Sequence, residues 1–142
     1  MQFLEKIIPL FSKKPLEEKT ILIIDDNQVD REFMSRTLRK YYTTVVTAPD
    51  GESGLVLVWE RKPDLIVLDL RLPGISGQEV CQRLKDDELT KNIPVVIVTV
   101  AKDGFTLCEC YALGVMNYLV KPVSARRLFS TIEAALEDNV VL

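Results

Sequence analysis

Pro63-Asp-Leu-Ile-Val-Leu-Asp69 decides the fold. Four apolar residues, Leu65 to Leu68, run without a polar break and stop on an acid. A strand with one wet face would alternate polar and apolar residues, whereas a strand covered on both faces reads as an unbroken apolar run. Outward along the chain, similar short runs recur at Ile21–Ile24, Thr44–Val46, Val95–Val98 and Tyr118–Val120. Segments of helical length separate or follow them, at 28–40, 51–61, 77–85, 103–113 and 124–137. The last places Ala125, Leu128, Ile132, Ala135 and Leu136 on one face, with Arg126, Arg127, Glu133 and Glu137 away from it. Ser124 reads as its N-cap, and Asp50 as the N-cap of the second helix. Strand–helix alternation repeated five times with short connections predicts a doubly wound α/β domain, a five-stranded parallel sheet with helices on both faces.

The bulk chemistry is compatible with that architecture and narrows the function. A chain of 142 residues, 47% hydrophobic and 27% charged, is long enough to bury one core. Its net charge of −3 argues against a nucleic-acid surface, which would carry a basic excess. There is no histidine, which removes Ser-His-Asp catalysis, His-ligated zinc and phosphohistidine carriage. Cys81, Cys108 and Cys110 form no disulfide or zinc spacing and suit a reducing, cytoplasmic compartment. No apolar stretch approaches the ~18 residues of a membrane span, and Glu5, Lys6 and Pro9 interrupt any signal-peptide core.

In a doubly wound sheet, ligands bind at the carboxyl ends of the strands, near the point where strand order reverses. Those ends carry Asp25-Asp26, Asp69 and Thr99, and Lys121-Pro122 lies just beyond the fifth strand. Three carboxylates on one rim repel one another, and a hard divalent cation relieves the conflict. Mg²⁺ suits carboxylate oxygens and keeps waters and phosphate oxygens in its shell, while no dense Asp/Asn/Gly loop supplies the larger shell of calcium. A carboxylate beside Mg²⁺ and a lysine is a competent nucleophile toward a phosphoryl group. An Asp-Asp pair alone would more often cap a helix, with Asn27 a candidate cap for the first, and a Lys-Pro pair alone would more often make a turn. Their coincidence at four strand ends favours a site.

The motifs Ile21-Leu-Ile-Ile-Asp-Asp26, Asp50-Gly51-Glu52, Pro63–Asp69, Leu72-Pro-Gly-Ile-Ser-Gly77, Ile93-Pro-Val-Val-Ile-Val-Thr99 and Gly114–Pro122 together resemble the receiver domain of bacterial response regulators over residues 20–137. The resemblance implies a flavodoxin-like sheet of strand order 2-1-3-4-5. It implies that Asp69 is the phosphoacceptor, and that Mg²⁺ is bound by Asp26, Asp69 and the backbone carbonyl of Arg71, with Asp25 acting through water. Lys121, before a cis Pro122, would pair with phosphoryl oxygens. Thr99 and Tyr118 would form the switch, passing the change to the fourth helix, fifth strand and fifth helix. The implied donor is a sensor histidine kinase or phosphotransfer protein, and the implied output is a downstream protein bound at that face.

Other classes fit less well. A haloacid-dehalogenase-type phosphatase needs a second acid two residues after its nucleophile, where this chain has Arg71. A phosphorylation-independent pseudo-receiver, an interaction module, would usually have lost an acid or the lysine. The chain is therefore expected to be a regulatory phosphoacceptor and not an enzyme acting on other substrates. Residues 1–19 read as an amphipathic arm and linker, with a short helix ending near Ile8 before Lys13-Lys14-Pro15. Residues 138–142 read as a tail, too short for a DNA-binding helix-turn-helix. The arm is expected to pack on its own domain or on a second copy of the chain, and the second helix, apolar all round from Leu55 to Trp59, offers a surface for a partner. Arg71 and Ala101, unable to orient a hydrolytic water, predict slow loss of the phosphoryl group, and the β-branched Val100 predicts slow uptake.

Overall fold

A computed structural model describes residues 15–100, 104–115 and 117–138. Its strands are β1 (Glu17–Ile24), β2 (Tyr42–Ala48), β3 (Leu65–Leu68), β4 (Val95–Thr99) and β5 (Asn117–Val120). The helices are α1 (Gln28–Leu38), α2 (Gly51–Arg61), α3 (Gly77–Lys85), α4 (Gly104–Ala112) and α5 (Ala125–Asp138). All strand pairs are parallel, in the order β2-β1-β3-β4-β5. The reversal of strand order falls between β1 and β3, where Ile24 is in register with Leu68.

The apolar strands do what their unbroken runs require. Alternate side chains of one strand enter opposite layers, because successive Cβ atoms point to opposite faces. Ile21, Ile23, Leu65, Val67, Val96 and Val98 join Met34 and Leu38 of α1 and Leu128 and Ile132 of α5. Leu22, Ile24, Ile66, Leu68, Val95 and Ile97 join Val58 of α2, Val80 and Leu84 of α3 and Cys110 of α4. Helices thus cover both faces, α1 and α5 on one and α2, α3 and α4 on the other.

Two strands reach further than their apolar runs. β1 begins at Glu17, inside the stretch read as linker, and β2 covers Tyr42–Ala48. The extensions are held by main-chain pairing, with Glu17 opposite Tyr42 and the Glu17 amide 2.9 Å from the Tyr41 carbonyl, so their side chains need not be apolar. The expected face of α5 holds except at Ala125, which is exposed because the helix begins there. Cys81 and Cys110 are buried and Cys108 is exposed, the last two lying two apart on α4 and so on nearly opposite faces of it. Burial pushes the Cys81 thiol up to about 11, away from thiolate chemistry. The expected short arm helix ending near Ile8, most of the expected tail, and Ala101 lie outside the described residues.

Capping fixes where the helices start relative to the strand ends. Asn27 Oδ1 accepts the Asp30 amide at 3.0 Å, and Asp50 Oδ1 accepts the Ser53 amide at 2.7 Å. Ser76 and Ser124 hydroxyls each accept an amide three residues on, at 3.1 Å. Gly77, the first residue of α3, donates its amide to the Leu70 carbonyl at 3.0 Å. A Cβ at Gly77 would collide with the Asp69 carbonyl oxygen and lie 2.5 Å from the Leu70 Cα. Backbone on both sides leaves no flexible atom to yield, so only glycine lets α3 close on the residues that follow β3.

Gly77→Ala should therefore lower stability by about 1–3 kcal/mol, the usual cost of overpacking. Urea unfolding would read this as a lower midpoint with an unchanged slope. A variant as stable as the parent would show that α3 can move away from Asp69 at no cost.

Candidate functional site

The parallel sheet delivers its polar strand ends to one edge. Asp25 and Asp26 follow β1, Asp69 follows β3, Thr99 closes β4, and Lys121 follows β5. All of them except Asp26 are at least partly buried, with Asp25, Asp69 and Thr99 fully so. Buried carboxylates need partners, because an unpaired charge in a low-dielectric site costs several kcal/mol, on the order of the whole net stability.

Those partners are present. Lys121 Nζ lies 2.7 Å from Asp25 Oδ2, 2.8 Å from Asp69 Oδ2 and 2.9 Å from Asp30 Oδ2. An ammonium has three N–H donors, and here three carboxylates surround it. On its other oxygen, Asp69 Oδ1 accepts the Thr99 hydroxyl at 2.8 Å and the Arg71 amide at 3.0 Å. Asp25 Oδ1 accepts the Asn27 amide at 2.9 Å, and the Asp25 carbonyl accepts from the Arg31 guanidinium at 2.8 Å. The Lys121-Pro122 peptide is cis, as the resemblance implies.

The electrostatics follow from crowding. Burial pushes the Asp25 carboxyl above the usual carboxylate range, with the nearby Asp69 charge adding to it; the hydrogen bonds and charge of Lys121 and the Asn27 amide only partly offset the rise. Burial alone would lower Lys121, but hydrogen bonds to Asp25, Asp30 and Asp69 outweigh it and hold the ammonium well above its ordinary value. Lys121 is therefore charged throughout the physiological range.

Asp25, Asp26 and Asp69 each offer a carboxylate oxygen, all within 4.8 Å of one another. This all-oxygen donor set on one open rim fits a hard divalent cation of the Mg²⁺ type. Arg71 itself is exposed, its amide anchored on Asp69. Tyr118 is half-buried on β5, in register with Ile97 two residues before Thr99, and packs against the α2–α4 side of the core. The loop after Asp69 is pinned in turn, since the Glu52 carboxylate accepts the Ile75 amide at 3.0 Å.

Asp25, Asp26, Asp69, Thr99 and Lys121 thus meet at this edge with Arg71 next to them, Tyr118 stands further back on β5, and one participant was not foreseen. Asp30 reads in the sequence as an ordinary acidic residue in the first turn of a helix. The available signal was position: it stands three residues past the cap of the helix that springs from Asp25-Asp26, which turns it toward the same rim.

A family model described as the response regulator receiver domain matches residues 21–133. The chain is 38% identical over 117 residues to the transcriptional regulatory protein AfsQ1 of Streptomyces coelicolor, covering 82% of this chain and 51% of that protein. Identity to the phosphate regulon transcriptional regulatory protein PhoB of Pseudomonas aeruginosa is 37% over 118 residues, covering 83% and 52%. The chain thus spans about half the length of these curated relatives. The solved structure of the chemotaxis response regulator CheY4 of Vibrio cholerae superposes with a TM-score of 0.76 at 26% identity, covering 84% of this chain and 99% of that one.

Removing the ammonium should expose the repulsion it masks. Lys121→Ala is expected to lose about 3–5 kcal/mol near neutral pH, in chelator, as when one partner of a buried pair is deleted. A carboxyl whose folded pKa is raised contributes stability below its unfolded value and loses it as pH rises through the folded one. Losing Lys121 raises Asp25 further, so the deficit should shrink as pH falls toward 5. A deficit independent of pH in urea unfolding would assign the loss to packing of the lysine stem.

Proposed function

The chain belongs to the response regulator receiver domain family, and from that premise we propose that it is a phosphorylation-driven signalling switch with Asp69 as the phosphoacceptor. The observation that carries this reading is the grip on Asp69: Lys121 at 2.8 Å on one oxygen, and Thr99 at 2.8 Å with the Arg71 amide at 3.0 Å on the other. These are the donors that a phosphoryl group on Asp69 would need for its own oxygens.

In the reaction, an Asp69 carboxylate oxygen attacks phosphorus of a phosphohistidine on a sensor kinase or phosphotransfer protein. The P–N bond breaks, the imidazole leaves with a solvent proton, and an aspartyl phosphate results. Asp25, Asp26 and Asp69, with the Arg71 carbonyl, would hold Mg²⁺, which supplies charge neutralisation at phosphoryl oxygens when bound. Lys121 pairs with the phosphoryl group from the opposite side. Thr99 exchanges its bond to Asp69 for one to the phosphoryl group, and Tyr118 moves into the space its side chain leaves. The face of α4, β5 and α5, where Tyr111 and Val120 are exposed, would then change its affinity for a downstream protein. A cytoplasmic setting follows from the proposed donor, and among the described residues no helix is long and apolar enough to cross a membrane.

Incubation with a small phosphodonor and Mg²⁺ should add one phosphoryl mass to the parent chain and none to Asp69→Asn. Mg²⁺ should also raise the melting temperature by mass action, and Asp26→Ala should abolish that rise while leaving the fold intact. No Asp69-dependent adduct from either a small donor or a kinase would leave a phosphorylation-independent interaction module as the better reading.

The phosphoryl group should persist. Arg71 is exposed beside the pocket, and neither its guanidinium nor the methyl side chain of Ala101 can accept a proton from an attacking water. Arg71→Asn combined with Ala101→Glu should lose phosphate faster than the parent, by about a hundredfold if the new groups act as a positioned acid–base pair. Val100→Ala should take up phosphoryl faster from a small donor. Equal decay in the parent and the double variant, followed by mass over time, would sink this account.

A further inference from the structure

Three acceptors share the Lys121 ammonium, and they are not equivalent. The side chains of Asp25 and Asp69 retain 1% and 5% exposure, while that of Asp30 retains 40%. Asp25 and Asp69 belong to the trio that can hold a cation; Asp30 does not. Asp30 comes from a different element as well, the first turn of α1, with its amide bonded to Asn27 Oδ1. The positive end of that helix favours a carboxylate there. Lys121 and a divalent cation therefore compete for the same two buried carboxylates, and only Asp30 lies outside the contest.

We propose that Asp30 is a positioning residue for the metal site: a solvent-side acceptor that keeps Lys121 paired as a divalent cation takes Asp25 and Asp69 from it. This rests on the phosphoacceptor reading above. Without Asp30, the ammonium would have, among the described residues, only the two buried carboxylates to bond, and metal entry would take both from it. A charged donor left unpaired at a half-buried site costs more than an exchange between acceptors. Asp30 lowers that cost, so it favours the metal-bound pocket through Lys121 and without touching the metal. It also keeps the ammonium at the rim, where phosphoryl oxygens arrive.

Isothermal titration of the full unphosphorylated chain with Mg²⁺ tests this. Asp30→Asn should weaken Mg²⁺ binding by about tenfold, the lower end of what loss of an outer-shell partner does. Glu32→Gln removes the same charge from the same helix but pairs only with Gln28, at 3.0 Å, and should change the affinity less than about twofold. In a Lys121→Met background, Asp30→Asn should have almost no further effect, since the group it serves is gone. Unfolding in chelator reads the pair without metal: Asp30→Asn should lower the midpoint of the parent and not that of Lys121→Met. Unchanged affinity in Asp30→Asn, an equal loss in Glu32→Gln, or a full loss in the Lys121→Met background would each overturn the proposal. A parent chain that binds no Mg²⁺ would instead overturn the metal reading of the pocket, and the role of Asp30 with it.

Discussion

One ammonium holds three carboxylates together at the carboxyl edge of the sheet, and the shape of the pocket depends on that balance. Without Lys121, Asp25 and Asp69 would face each other at a buried site with no cation between them. With it, the charges are neutralised only in part, and Asp25 still sits above its ordinary pKa because burial outweighs its bonds. The core bears the cost. The Ile21–Ile24 half of β1, β3 and the Val95–Val98 run of β4 are apolar on both faces and buried, so the sheet can force repelling groups to one edge without coming apart. Stability is given up locally for a site that gains by binding positive charge.

The same pocket touches four elements outside β1 and β3, each through a different kind of contact. Thr99 ties it to β4 by a hydroxyl bond, and Lys121 ties it to the end of β5. Asp30 ties it to α1 by charge, and the absence of a side chain at Gly77 ties it to α3 by close backbone approach. A change in the electron-rich oxygens of Asp69 is therefore felt by both layers of helices at once. Tightly packed cores respond to such changes by moving between discrete arrangements, not by gradual bending.

Much of this was legible before any coordinates. β3 and α3 match the limits read from the sequence, because an unbroken apolar run and a Ser-Gly cap leave little freedom. The strand ends were legible too, since an acid after four buried apolar residues has to emerge at an edge. The start of β1 at Glu17 was not legible as strand, because its parallel pairing with Tyr42 of β2 uses the backbone and ignores the charged side chain. Asp30 was not legible as part of the site, because a first-turn acid is ordinary on any helix, and only the crossing of α1 over the rim brings it to Lys121. Ala125 read as part of an apolar face, yet a helix terminus has no neighbouring turn to cover it.

The bond between Lys121 and Asp25 spans 96 positions of sequence, and the bond between Lys121 and Asp69 spans 52. Contacts of such separation form only after the intervening loops have closed, so they come late in folding. During synthesis the acids emerge first and the lysine last, and β5 cannot join the sheet before β4 has paired with β3. A partly folded chain thus exposes Asp25 and Asp69 without the ammonium that balances their charge. The ammonium of Lys121 therefore meets its carboxylates only once the sheet is complete through β5, so the charge balance of the pocket registers closure of the whole sheet.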